Sequence, residues 1–130
     1  MRNIVFTNEA PLPIGPYSQA VRCGSLLYLS GQIPVDPASG KLVESDISVQ
    51  THQVFENIVA VLKAENSTLD NVIKTTVFLA DFADFAVMNK IYGEYFGETD
   101  APARSTIEVA ALPMGSLVEI EAIAEINHAA

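Results

Sequence analysis

The apolar and polar positions divide the chain into short runs of two-fold alternation and two longer runs of helical period. Residues 18 to 23 and 26 to 30 read as strands, joined by Gly24-Ser25, a pair suited to a tight hairpin turn. Gly31-Gln32-Ile33-Pro34 breaks the pattern, and Asp36-Pro37-Ala38-Ser39-Gly40 is a loop rich in turn residues. A helix is predicted from Ser45 or Asp46, both good N-caps, with Ile47, Val54, Phe55, Ile58, Val61 and Leu62 on one face. Asn66 is able to close it in the left-handed conformation. The β-branched run 72 to 80 predicts a strand. A second helix starts near Asp84, carries Phe85, Met88, Tyr92 and Phe96, and ends at Gly97. Two strands follow, about 104 to 111 and 118 to 126.

The order is β-β-α-β-α-β-β, with a further short strand at 3 to 6. Each helix joins two strands, which favours parallel neighbours through right-handed crossovers. Two helices cover one face of such a sheet. The other face, including Tyr28, Phe78 and Ile123, needs a partner, so a homo-oligomer is expected. Strand alternation sharpens this. Ser105, Ile107 and Val109 point one way, and Arg104, Thr106 and Glu108 the other. Val118, Ile120, Ala122 and Ala124 face the helices, leaving Glu119, Glu121 and Glu125 on the partner side. Arg104 and Glu119 are both expected on the face where subunits meet.

Composition narrows the class. At 130 residues, 49% hydrophobic and 18% charged, the chain fits one folded domain spanning 1–130. A net charge of −9 with seven scattered cations argues against a nucleic-acid-tracking surface. The single Cys23 cannot form an intrachain disulfide and reads as a small packed side chain. The N-terminal residues lack a signal-peptide pattern, and no apolar run reaches membrane-spanning length. A soluble, cytoplasmic protein without a membrane partner is expected.

The usual catalytic constellations are missing from the sequence. His52 and His128 read as solvated, with no metal-ligand partner at useful spacing, and no metal site is expected. Asp36, Asp46, Asp81 and Asp84 sit where capping or turn formation explains them. The exception is Arg104, the only cation after Lys90, in a stretch with Glu94, Glu98, Asp100, Glu108, Glu119, Glu121 and Glu125. Its planar fork suits the two oxygens of a carboxylate. Two readings fit: a clamp for a small anionic substrate, or a structural ion pair with one of those acids.

Five collinear segments carry a family resemblance: Ile14 to Ala20 (IGPYSQA), Ser30 to Pro34 (SGQIP), Val72 to Phe78 (VIKTTVF), Pro102 to Ser105 (PARS) and Val118 to Ala124 (VEIEAIA). They resemble the RidA (YjgF) family over nearly the whole chain, and within it the enamine/imine deaminase subgroup. The resemblance implies an α+β fold, a mixed sheet of about six strands with two helices on one face, and a homotrimer with sites between subunits. It implies a substrate carboxylate bound by Arg104, Tyr17 lining the pocket, and Ser30 and the Gly31 backbone near the reacting nitrogen. Glu119 would orient or activate water, and Asn89 would line the pocket. The family often has a cysteine two residues past the arginine. Thr106 stands there in this chain, which removes a thiol from the pocket.

The implied reaction is hydrolysis of 2-imino acids, released by PLP-dependent dehydratases, to 2-keto acids and ammonia. It needs a held carboxylate, a hydrogen-bonded imine nitrogen and an aimed water, and no cofactor. Each residue also has a plainer role. Tyr17 anchors the loop after Pro16, Ser30 ends a strand, Glu121 competes with Glu119, and Asn89 is a solvated helix residue. Two other functions stay open: a non-catalytic 2-keto-acid-binding trimer, and an endoribonuclease or translation inhibitor, which the acidic charge disfavours.

Overall fold

The computed structural model describes residues 1–126. Six strands form one mixed sheet: β1 (Arg2–Val5), β2 (Ala20–Cys23), β3 (Leu26–Gln32), β6 (Val72–Leu79), β7 (Ala103–Glu108) and β8 (Val118–Glu125). Their order across the sheet is β1-β2-β3-β8-β6-β7. Every pairing is antiparallel except β6 with β7. A two-residue ladder, β4 (Val35–Asp36) with β5 (Lys41–Leu42), closes the loop after β3. The helices are α1 (Ile47–Lys63) and α2 (Phe85–Phe96). The α+β architecture expected from the sequence is present.

One helix connects parallel neighbours as anticipated, since α2 carries the chain from β6 to the adjacent β7. The other does not. The last strand, β8, inserts between β3 and β6, so the strands flanking α1 are separated by an antiparallel strand. The break expected at Gly31 is also corrected. The chain stays in strand through Gln32 by a register shift between Leu29 and Gln32, and this bulge re-aims Ser30 and Gly31.

Local chemistry explains the helix boundaries. Asp46 Oδ1 accepts from Val49 N at 3.0 Å and caps α1. Past its end, Asn66 takes the left-handed conformation (φ 55°), as its residue type allows. Before α2, Asp81 Oδ1 accepts from Ala83 N at 2.8 Å and starts a 3-10 turn that leads into the helix. Gly97, with φ 82°, ends α2 where a side chain would be strained.

The core lies between the sheet and the helices. Val54, Phe55, Ile58, Val61 and Leu62 of α1 and Met88 and Tyr92 of α2 are buried against Leu27, Leu29, Val77, Leu79, Val118, Ile120, Ala122 and Ala124. The predicted inward positions of β8 are therefore all buried. On the opposite face, Tyr28, Ile73 and Ile107 remain exposed, with Phe78 and Ile123 partly so.

Candidate functional site

Arg104 leaves β7 opposite Thr75 of β6. Thr75 is buried on the helix side of the sheet, where its hydroxyl lies 2.6 Å from the Tyr92 hydroxyl. The same parity sends Arg104 toward α2. Its Nη1 donates to Asn89 Oδ1 at 2.7 Å. Its guanidinium lies 4.6 Å from the centre of the Tyr92 ring and 5.7 Å from that of Phe85. Among the described residues no carboxylate comes within 4.0 Å of it, and the ion pair found is Arg22 with Glu65 at 3.7 Å. The structural ion-pair reading is thus set aside. The cation is gripped by a neutral amide and two rings, which fix its orientation and leave it without a direct ion pair among the described residues. A cavity of about 670 Å³ opens over it, lined also by Lys90, Gly97, Glu98 and Pro102.

Glu119 stands elsewhere. It lies opposite Phe78 in the β6–β8 pairing, between the buried Val118 and Ile120, and so projects from the face away from the helices. Arg104 and Glu119 do not share a face, which corrects the expectation from strand alternation. Alternation sorts residues within each strand; only the β6–β7 register, setting Arg104 against the inward Thr75, says which set of β7 is which. On this edge strand the apolar Ile107 points outward and is exposed, so polarity gives no guide. Thr106 shares the inward side with Arg104, and its Oγ1 is buried without a hydrogen-bond partner among the described residues.

Around Glu119 the backbone comes close. A Cβ placed on Gly31 would lie 2.5 Å from Glu119 Oε2 and 2.9 Å from its Cδ, so only glycine lets this carboxylate rest against β3. Burial, then the charge of Glu121, raises the Glu119 pKa above the ordinary 4.5. Ser30 donates from Oγ to Ser18 O at 2.5 Å, and its backbone N donates to Gln19 O. Its only hydroxyl proton is therefore used within the chain, while its lone pairs remain available to a donor. Tyr17 is half exposed, its hydroxyl accepting weakly from Ile14 N at 3.4 Å. Tyr17 and Gly31 line one cleft together. Gln19, buried beside it, holds the preceding loop by donating to the carbonyls of Thr7, Ala10 and Pro11 and accepting from Thr7 N.

The expected residues thus form two groups: Arg104 with Asn89, and Tyr17 with Ser30, Gly31 and Glu119. Asn89 lines the cavity with Arg104, and its oxygen holds the arginine. Sequence reasoning missed Tyr92, Phe85 and Thr75 as the cradle of that arginine. The aromatic spacing along α2 marked the first two only as core. His52 is half-buried, its Nδ1 2.9 Å from the Tyr95 hydroxyl, rather than solvated. Cys23 is exposed at the hairpin end rather than packed. His128 lies outside the described residues.

Comparison with known proteins gives the family. The family model described as Endoribonuclease L-PSP matches residues 7–126. A RutC family protein of Pyrococcus horikoshii is 55% identical, over 95% of this chain and 98% of its own. The mouse 2-iminobutanoate/2-iminopropanoate deaminase is 48% identical, over 95% of this chain and 91% of its own. The crystal structure of a Rid family protein from Yersinia pestis superposes with a TM-score of 0.94 at 50% identity, covering 97% of this chain and all (100%) of that one. With the sheet, the motifs and the sequence in agreement over nearly its full length, the chain belongs to the RidA (YjgF) family.

Proposed function

We propose that this protein is a 2-imino-acid deaminase, hydrolysing 2-iminobutanoate and 2-iminopropanoate to 2-keto acids and ammonia. The observation that carries the reading is Arg104: a charged fork, oriented by Asn89 and Tyr92, facing a cavity and unpaired with any described carboxylate. Such a group is prepared for a ligand carboxylate. The deaminase name carried by a relative at 48% identity supports the same substrate class.

In this reading the protein is a homotrimer. The exposed Tyr28, Ile73 and Ile107 give the open sheet face a reason to be covered. Sites between subunits let Arg104 of one copy and Glu119 of the next serve one ligand. Arg104 binds the substrate carboxylate, and Thr106 lies beside it. The Ser30 lone pairs and the Gly31 carbonyl accept from the iminium N–H, which keeps the nitrogen protonated and the imine carbon electrophilic. Glu119 takes a proton from the attacking water, and Tyr17 closes the pocket. Water adds to the C=N carbon, Glu119 passes the proton it took to the carbinolamine nitrogen, and it then takes the hydroxyl proton as the C=O forms and the C–N bond breaks to release ammonia and the keto acid. In this reading the imines come from PLP-dependent dehydratases and the enzyme works in the cytoplasm. Among the described residues no helix is long and apolar enough to cross a membrane.

The test is a dehydratase reaction with semicarbazide trapping free imine. Faster keto-acid formation with less trapped imine, both lost in Arg104→Ala, is expected. A well-folded protein without acceleration sinks the proposal. Retained 2-keto-acid binding in that event makes the protein a sensor built on the same clamp.

A further inference from the structure

The cleft beside Tyr17 differs in character from the cavity over Arg104. It has a volume of about 210 Å³ and is walled mainly by Leu12, Ile14, Tyr17, Ile33 and Met114, with Gly31 at its edge. Among the described residues no charged side chain lines it, in a chain with 16 acids and seven cations. Of the two amide side chains lining it, Gln19 is turned to the loop backbone by four hydrogen bonds, and Gln32 donates to Ser30 O at 3.5 Å. Leu12, Ile14, Tyr17 and Met114 are all more than half exposed, so large apolar side chains gather around a hollow without filling it. At 210 Å³ it is smaller than the roughly 300–1,000 Å³ that holds a whole drug-sized ligand, and it suits a side chain.

Its position gives the occupant. Gly31 lies on its edge, and the Glu119 carboxylate rests against Gly31. Resting on the deaminase reading, a substrate held with its imine carbon at Glu119 extends its side chain into this hollow. We infer that the cleft is a side-chain subsite that makes the protein favour 2-imino acids with branched aliphatic or aromatic side chains over 2-iminopropanoate. The charged cavity holds the carboxylate, and the uncharged cleft takes the apolar end.

The experiment supplies the purified protein with imines generated in place by an amino-acid oxidase from alanine, leucine and phenylalanine, and follows semicarbazide-trapped imine. A kcat/KM on the order of tenfold higher for the leucine-derived imine than for the alanine-derived one is expected, as an apolar pocket gives for extra methylenes. Leu12→Gln and Met114→Gln, substitutions at exposed positions that leave the core intact, should abolish this preference through KM. Turnover of the alanine-derived imine should stay within about twofold in both, since neither side chain meets the smaller substrate. Equal kcat/KM for all three imines, or variants that lower all three alike, overturns the subsite. If no imine is hydrolysed faster, calorimetry with pyruvate and 4-methyl-2-oxopentanoate separates the two ideas. Tighter binding of the larger keto acid, lost in Leu12→Gln, keeps the subsite while the deaminase reading falls. Equal binding removes both.

Discussion

Arg104 and Glu119 stand on opposite faces of one sheet. Arg104 is set against Thr75 of β6, and Glu119 against Phe78 three residues further along that strand. With β6 between them, their strands lie two spacings apart, roughly 10 Å, and the side chains leave in opposite directions. A small imino acid cannot bridge them within one copy.

Subunit complementation should follow. Arg104→Ala and Glu119→Gln are each expected to be inactive as pure proteins. Mixed after unfolding and refolded together, about a quarter of the sites in random trimers would carry both native groups, given a head-to-tail ring. Activity near a quarter of native supports sites between copies. A mixture as inactive as its parents refutes them.

The pH profile should carry the mark of Glu119. Its pKa is raised by burial and by Glu121, so the carboxylate that activates water in the proposed reaction forms only above the usual range. The acid limb of kcat/KM should have its midpoint above 4.5 and move down in Glu121→Gln. The linked stability has the opposite sense to activity. A raised folded pKa favours the protonated fold, a contribution present below the unfolded value and lost as pH rises through the folded one. Glu119→Gln should therefore raise the thermal midpoint at pH 7 while abolishing turnover.

Gly31→Ala tests the contact that seats that carboxylate. The new methyl would meet Glu119 Oε2 at 2.5 Å, and the flexible end of the side chain is what yields. Calorimetry should show a folded protein, with kcat reduced on the order of 100-fold, as a displacement near 1 Å can do.

Tyr92→Phe separates the ring from its hydroxyl. The ring keeps its place over Arg104, while Thr75 loses a buried partner at 2.6 Å. Stability should fall by about 1–3 kcal/mol, with keto-acid affinity little changed. Tyr92→Leu removes the ring as well and should weaken affinity several-fold. Arg104→Lys keeps the charge without the fork and should bind less than the native protein.

Thr106→Val replaces a buried hydroxyl that has no hydrogen-bond partner among the described residues. The folded protein should be unchanged or more stable by about 1 kcal/mol. A parallel loss of keto-acid affinity would assign that hydroxyl to the ligand; unchanged affinity would make it a bystander.

The legible parts of the chain were those with a strong local signal. Alternation along β8 placed Val118, Ile120, Ala122 and Ala124 inward because a buried face against a polar one leaves no ambiguity. Asp46 and Gly97 marked helix ends because capping and left-handed geometry act within a few residues. The strand through Gly31 was read as broken because a bulge depends on the neighbouring strand, not on local residues. Only the family resemblance puts Asn89 in the pocket; its residue type alone fits a solvated helix amide equally well, because its partner, Arg104, reaches it only after β7 docks beside β6.

The sequence by itself determined the main strands and the two helices, and which faces of α1, α2 and β8 are buried. These depend on short-range periodicity and on residue identity. Only the tertiary structure decided that β8 enters between β3 and β6, that Arg104 turns to the helices, and that Glu119 turns away. Side-chain alternation divides each strand into two sets but does not say which set faces which layer. That is fixed by register between distant strands, whose energies belong to the assembled sheet.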